Sequence, residues 1–278
     1  MRRHDKTTPI LYNHRQMDES GRFAGALTFL KANASTLVLR YGSGLLLLLM
    51  VIAYGAANQR WLWVIEAAAL LALLIYFFLA SLWSAYALYD APGRRDSDHF
   101  WQMGQLQPTD TIVVVDLGLR WTAVALARRL TSGRVIVIDV YNPQLTPGRP
   151  LARLRAQAIR PITDPRLTWR ESSINLLPLP DSSVTVVTLS RVTSQLWQEG
   201  DRLLLLKEIY RLLAPGGRLL MSERVRSRAN VLIMGLGGLR LPTAAYWRNL
   251  LQRAGFQVQE ERDLQGLVRC FRAGRNGQ

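Results

Sequence analysis

Two long apolar segments dominate the first third of the chain, at residues 37–57 and 61–89. Their charged and serine positions are Arg40, Ser43, Glu66, Ser81 and Ser84. Each segment reaches the roughly 20 residues that a helix needs to cross a bilayer. Only residues 58–60 separate the two, and so short a connection makes two helices antiparallel neighbours. The pattern predicts a transmembrane helical hairpin with spans at about 37–57 and 61–88.

Positive charge is distributed unevenly around the predicted hairpin. The flanks on the side of the chain termini carry Arg2, Arg3, Lys6, Arg15, Arg22, Lys31, Arg94 and Arg95. The connecting loop carries Arg60 alone. Because positively charged flanks stay on the cytoplasmic side, we expect a multi-pass protein of the cell (inner) membrane with both termini in the cytoplasm. Residues 1–34 are then a cytoplasmic N-terminal segment, 35–90 the two transmembrane helices and 91–278 a cytoplasmic domain.

From residue 91 onward, short β-branched runs alternate with helical patterns. Strands are predicted at 111–116, 134–139, 167–169, 184–189, 218–222, 256–262 and 267–272. Helices are predicted at 121–130, 151–159, 202–213 and 243–254. This alternation is typical of βαβ units and of a parallel sheet with helices on both faces. The predicted fold class is therefore α/β and doubly wound, and ligands of such sheets bind beyond the carboxyl ends of the strands.

Net charge and cysteine content restrict the partners. The chain carries 35 basic and 20 acidic residues, which gives a formal net charge of +15. A basic protein with membrane spans fits a surface of anionic lipid, so we expect membrane lipid as a partner. The arginines are dispersed and form no nucleic-acid motif, which argues against a nucleic-acid partner. Cys270 is the single cysteine and the three histidines lack ligand spacing, so neither a disulfide nor a metal site is expected.

Several motifs between residues 96 and 273 resemble those of class I S-adenosylmethionine (SAM)-dependent methyltransferases, and most of all their type 11-like subgroup. Asp116-Leu-Gly118 follows the first strand and resembles the family's nucleotide-binding motif. Asp139 ends the second strand, where the family places an acid on the ribose hydroxyls. The most specific likeness is the run Leu-Ala-Pro-Gly-Gly-Arg-Leu at 213–219. The resemblance implies SAM as cofactor and a seven-stranded, mostly parallel Rossmann-like sheet whose final strand is antiparallel.

The cofactor loop departs from the family pattern. The family's two further loop glycines correspond to Arg120 and Thr122, and its adenine-contacting acid corresponds to Ser173. Arg120 has two alternatives: it pairs with the carboxylate of the cofactor, or it turns to Asp139 and fills the pocket. No catalytic residue is identified. The cofactor-binding candidates that the resemblance implies are Asp116, Gly118, Arg120, Asp139 and Ser173.

Different function classes remain open at this stage. The first is a membrane-anchored SAM-dependent methyltransferase acting on a small lipophilic or membrane-associated substrate. Methyl transfer depends mostly on proximity and orientation, so the lack of a recognisable catalytic constellation is no objection. The alternative is a catalytically inactive pseudo-methyltransferase that serves as an accessory or scaffold subunit of a membrane protein complex. A module that binds a nucleoside ligand without turnover stands between these two.

Overall fold

The structure, a computed structural model, describes residues 37–89, 96–158, 164–234 and 236–275, together with the single positions 27, 30, 31 and 34. Most of the predicted N-terminal segment 1–34 lies outside the described residues. The helices are α1 Ser43–Ala57, α2 Trp61–Tyr89, α3 Asp96–Met103, α4 Trp121–Ala127, α5 Arg149–Gln157, α6 Glu199–Leu212, α7 Arg228–Met234, α8 Leu236–Leu239 and α9 Ala244–Arg253. The strands are β1 Thr111–Asp116, β2 Arg134–Asp139, β3 Leu167–Glu171, β4 Val184–Ser190, β5 Leu213–Arg224, β6 Phe256–Leu264 and β7 Val268–Arg275.

The two apolar segments form a pair of packed helices, of which α2 alone meets the length and composition needed to cross a membrane. Its candidate span is Trp61–Ala87, with a mean hydropathy of 2.4. The first segment begins with π-helical turns at Val38–Gly42, so that α1 keeps only 15 residues in α-helical geometry. That is short of the roughly 20 residues that a spanning α-helix needs. Of the two predicted spans, the described residues therefore support one.

The domain is built on a seven-stranded sheet in the order β3-β2-β1-β4-β5-β7-β6. Strands β1 to β5 are parallel, and β7 runs antiparallel to both β5 and β6. This confirms the predicted α/β, mostly parallel sheet with an antiparallel final strand. The strand order reverses between β1 and β4. The carboxyl ends of these two strands therefore form the topological switch point, where ligands of such folds bind.

Two apolar cores lie on the two faces of the sheet. One is built around Trp247 and Leu205, from α9 and α6. The other is built around Phe100 and Leu126, from α3 and α4. Each large side chain buried in this way contributes roughly 1.5–3 kcal/mol relative to an exposed one. The sheet is thereby fixed, and with it the positions of the side chains at the strand ends.

The end of α2 belongs to the domain rather than to a separate unit. Ala87 is buried in the second core, and Ala80 packs against that core. Ile233 of α7 is buried in the same core, and α2 lies directly against α7. The long apolar helix is therefore held against the segment that follows β5.

Asp96, at the start of α3, ties this helix to the carboxyl ends of β4 and β5. Its Oδ2 accepts hydrogen bonds from the hydroxyls of Ser190 at 2.5 Å and Ser222 at 2.8 Å. The Nε of Arg191 lies 3.3 Å from the same oxygen. Asp96 is buried, and a buried carboxylate needs such partners to offset its desolvation. The pattern of residues 96–103 is mostly polar, and this helix was missing from the sequence prediction.

Candidate functional site

The loop between β1 and α4 wraps its backbone around the Asp116 carboxylate. Residues 112–115 are buried, so β1 is fixed and Asp116 emerges at its carboxyl end. Gly118 has a φ of +79°, a conformation that suits glycine, and Arg120 follows with a φ of +68°. The N–H of Arg120 donates to Asp116 Oδ2 at 2.5 Å. The loop is thus a tight turn closed by the acid that precedes it.

A cavity of about 170 Å³ opens at the switch point between β1 and β4. Asp116 and Thr122 line it from the β1 side, and Leu151 and Leu154 of α5 form another wall. The wall at the ends of β4 and β5 is polar and carries Ser190, Arg191, Ser194, Gln195 and Arg224. The cavity therefore has an acid on one side and two cationic side chains on the other.

Burial raises the pKa of Asp116, and the neighbouring charge of Asp139 raises it further. Hydrogen bonds from the backbone N–H groups of Arg120, Leu117 and Leu119 act in the opposite direction. Asp116 and Asp139 are paired residues on the adjacent strands β1 and β2, which explains their interaction. The two acids singled out in the sequence thus lie side by side at the carboxyl ends of β1 and β2.

Asp139 forms an ion pair with Arg155 of α5. Arg155 Nη1 pairs with Asp139 Oδ2 and also donates to the carbonyl oxygen of Leu117 at 3.0 Å. The other carboxylate oxygen, Oδ1, accepts the N–H of Tyr141 at 3.1 Å. Sequence reasoning placed an arginine near Asp139 as one alternative but considered Arg120 only, because Arg155 is distant in the chain and no loop motif marks it.

The two remaining candidates are Arg120 and Ser173, and neither is among the residues that line the cavity. The guanidinium of Arg120 lies over the ring of Trp169, 5.7 Å from its centre. Ser173 is exposed and forms an isolated bridge with Leu176 in the loop after β3. Asp116, Gly118 and Asp139 form one cluster.

Glu223, near the end of β5, is a buried acid that sequence reasoning missed. Its Oε1 accepts the N–H of Ser194 at 3.2 Å, and Ser194 lines the cavity. Among the described residues, Oε2 has no hydrogen-bond partner. Burial raises the pKa of Glu223 to about 7. An acid at the end of a predicted apolar strand, where ligands of such sheets bind, is the signal that could have marked it.

The types of residue around Gly118 are suited to binding a nucleoside-containing cofactor. A Cβ placed on Gly118 would lie 3.0 Å from Asp139 Oδ2, so only glycine brings the backbone this close to the carboxylate. A bare backbone beside a strand-end carboxylate is the arrangement that recognises ribose hydroxyls. Within the described part of the chain, no group of three or more His, Cys, Asp or Glu residues could hold a metal ion.

Residues 115–221 match the family described as "Methyltransferase domain". A probable S-adenosylmethionine-dependent methyltransferase from Mycolicibacterium smegmatis is 35% identical over 99 residues, covering 34% of this chain and 37% of that protein. A ubiquinone/menaquinone biosynthesis C-methyltransferase from Dinoroseobacter shibae is 33% identical over 101 residues, covering 36% of this chain and 37% of that protein. The chain thus spans little more than a third of the length of these curated relatives.

Solved structures show the same fold. The crystal structure of a SAM-dependent methyltransferase from Aquifex aeolicus has a TM-score of 0.51 at 17% identity, covering 67% of this chain and 94% of that one. The crystal structure of the cyclase SpnF has a TM-score of 0.51 at 18% identity, covering 69% and 84%. The matched family and both curated relatives are methyltransferases, and one relative is named as S-adenosylmethionine-dependent. Residues 115–221 thus match a methyltransferase domain, and the seven-stranded sheet to which they belong has the fold of SAM-dependent methyltransferases.

Proposed function

We propose that the protein is a membrane-anchored SAM-dependent methyltransferase that acts on a small lipophilic or membrane-associated acceptor. The observation that carries the methyltransferase part is the cavity at the switch point, whose lining residues Asp116 and Leu119 flank Gly118 in the chain, within the matched domain. No comparison supports the scaffold alternative. The anchored and lipophilic parts rest on α2 and on the surface that surrounds its end.

Around the cavity, each group of this chain has a distinct task in the proposed reaction. Asp139 would accept hydrogen bonds from ribose hydroxyls, and Gly118 would allow the backbone to approach the cofactor. The cofactor, when bound, would supply an electrophilic methyl group to the acceptor atom, with the carbon–sulfur bond broken in line and S-adenosylhomocysteine as the leaving group. Arg191, Arg224, Ser194 and their neighbours offer hydrogen-bond donors that orient the polar end of the acceptor. Glu223 fixes that wall through the backbone of Ser194.

An exposed apolar surface next to α2 supports the membrane placement. Leu232, Leu236 and Leu239, the leucine patch, lie on α7 and α8, and Leu236 is 82% exposed. The arginines around this patch are also exposed, and they are Arg226, Arg228 and Arg240. Apolar side chains ringed by cations are suited to the headgroup layer of an anionic bilayer. Because α7 packs on the end of α2, the leucine patch adjoins the proposed span.

The lipophilic acceptor follows from this placement and from one relative. The Dinoroseobacter shibae protein is named for ubiquinone/menaquinone biosynthesis, whose products are lipophilic. Arg224, a cavity residue, is followed after three residues by α7, which carries part of the leucine patch. A cavity so close to the bilayer surface receives acceptors at the high local concentration of the membrane.

The test uses the full chain reconstituted in lipid nanodiscs. We expect it to bind S-adenosylhomocysteine in a calorimetric titration and to transfer a radiolabelled methyl group from SAM to a quinol or prenyl acceptor that partitions into organic solvent. Asp116→Asn should reduce transfer, and Glu171→Gln, an exposed change on β3, is the matched control. Absence of S-adenosylhomocysteine binding contradicts the methyltransferase. Binding with transfer only to water-soluble acceptors contradicts the lipophilic substrate.

A further inference from the structure

The cofactor's ribose corner, which we define as Gly118 and Asp139, is covered by a side chain of the protein itself. A Cβ on Gly118 would lie 2.6 Å from Arg155 Cζ, so the guanidinium rests directly on the bare face of the glycine. The same guanidinium pairs with Asp139 and donates to Leu117 O. Arg155 therefore occupies the space and the hydrogen-bond acceptors that the ribose corner offers.

The helical spacing of α5 explains why Arg155, of all the arginines, reaches this position. Leu151 and Leu154 are buried and anchor α5 to the domain. Arg155 follows Leu151 by four residues, so both lie on the inward face of the helix. The ring of Tyr141 lies beneath the guanidinium, 4.6 Å from its carbon, and adds a cation–π contact. Arg153, two residues earlier on α5, is exposed.

The guanidinium and a ribose would compete for the space beside one carboxylate oxygen of Asp139. The Oδ1 of Asp139 accepts the N–H of Tyr141. Arg155 pairs with Oδ2, the carboxylate oxygen that faces Gly118. Since the guanidinium fills the space between Oδ2 and the bare face of Gly118, a ribose that enters this space must displace it.

The volume of the cavity indicates the same competition. At about 170 Å³ it is smaller than the roughly 300–1,000 Å³ typical of small-molecule sites. Leu154 lines the cavity, and the guanidinium of its chain neighbour Arg155 covers Gly118. Departure of the guanidinium would free the space beside Gly118. The long side chain can turn outward while Leu151 and Leu154 keep α5 in place.

From these observations we infer that Arg155 is a built-in competitor of the cofactor, which occupies the ribose corner until SAM displaces its guanidinium from Asp139. The inference rests on the proposed function, since it assumes that this corner receives the ribose of SAM. It makes the apparent affinity for SAM depend on the fraction of molecules in which Arg155 has left.

The experiment measures binding rather than activity. Full-length wild type, Arg155→Ala and Arg155→Met are reconstituted in nanodiscs and titrated with S-adenosylhomocysteine, with adenosine and with methionine. Arg155→Met keeps an apolar stem over Tyr141 and guards against loss of packing in the alanine variant. Arg153→Ala is the matched control, because it removes an arginine from the exposed face of the same helix.

We expect both Arg155 variants to bind S-adenosylhomocysteine and adenosine about ten-fold or more tighter than wild type, the range expected when a hydrogen bond to a charged group no longer competes. Methionine, which has no ribose, should bind equally to all four proteins. If wild type binds S-adenosylhomocysteine and the Arg155 variants bind it no better, the competitor role is wrong while the proposed function stands. If no protein binds it, both are wrong.

Discussion

Helices α2 and α4 are both rich in apolar residues, yet they differ in what removes those residues from water. In α4, Leu126 is 0% exposed because the sheet and α3 cover it. In α2, Leu73 is 50% exposed, and of the best 18-residue window only 6% is buried. The domain supplies its own apolar surroundings, whereas α2 needs surroundings that the described chain does not provide. A bilayer is the environment that would complete it.

The largest expected effect concerns the side of the membrane on which each region lies. Asn58→Cys, in the loop between α1 and α2, and Leu236→Cys, in the leucine patch, place one new thiol on each side in the proposed arrangement. In intact cells, a membrane-impermeant maleimide should label position 58 and leave position 236 unlabelled until the cells are lysed.

The native thiol provides the control for this labelling. Cys270 is buried, and burial raises the pKa of its thiol, so it should stay unreactive in both preparations. Equal labelling of both positions from outside would contradict a transmembrane α2 with the domain on the cytoplasmic side.

A smaller effect is expected on the free energy of unfolding when a leucine is truncated in α4 or in α2. Leu126→Ala should lower the free energy of unfolding of the domain by roughly 2–5 kcal/mol, the cost of truncating a buried leucine. Leu73→Ala removes the same atoms from an exposed position and should change it by about 0.5 kcal/mol or less. Urea unfolding of the full chain in mild detergent, followed by near-ultraviolet circular dichroism, measures both. Equal losses would mean that α2 is covered by protein in the same way as α4.

The smallest expected effect tests whether the carboxyl group of Glu223 is excluded from solvent. Burial raises the pKa of this acid to about 7 from an unfolded value of 4.5, so the folded state favours the protonated form. Ionisation then costs stability progressively between those two pH values, up to about 3 kcal/mol above pH 7. Glu223→Gln should match wild type at pH 4 and exceed it in stability at pH 8.

Thermal unfolding across that pH range measures the difference, and Glu171→Gln on the exposed edge of β3 is the control. A wild-type curve that is parallel to the Glu223→Gln curve at every pH would show that Glu223 is solvated.

Sequence patterns were sufficient for the sheet and insufficient for the side chains that close the site. Four central β-branched or apolar runs, such as 111–116 and 134–139, become strands because their pattern matches burial on both faces. β5 begins earlier than predicted, at Leu213, since pairing with Val184 draws the Pro-Gly-Gly segment into an irregular strand. Hydrophobic patterns with a period of 2 or 3.6 residues predict strands and helices because they depend only on neighbouring residues within one element.

The contacts of Arg155 and Glu223 depend on residues far away in the chain. The sequence offered an ion pair of Arg120 with Asp139 as one of two alternatives, and nothing local distinguishes Arg155 among the 35 basic residues. Only the packing of α5 through Leu151 and Leu154 selects it. The same holds for Glu223, whose environment is created by the turn at Ser194.

The burial of Ala87 in the domain core has a consequence for how the protein would meet its acceptor. Ala80 to Ala87 covers eight residues of continuous helix, about 10 Å of rise. A domain packed this closely against α2 cannot rotate independently of that helix. In the proposed membrane placement, the cavity would keep a constant distance and orientation relative to the bilayer surface. The protein and a membrane-dissolved acceptor would then meet by diffusion in two dimensions rather than three.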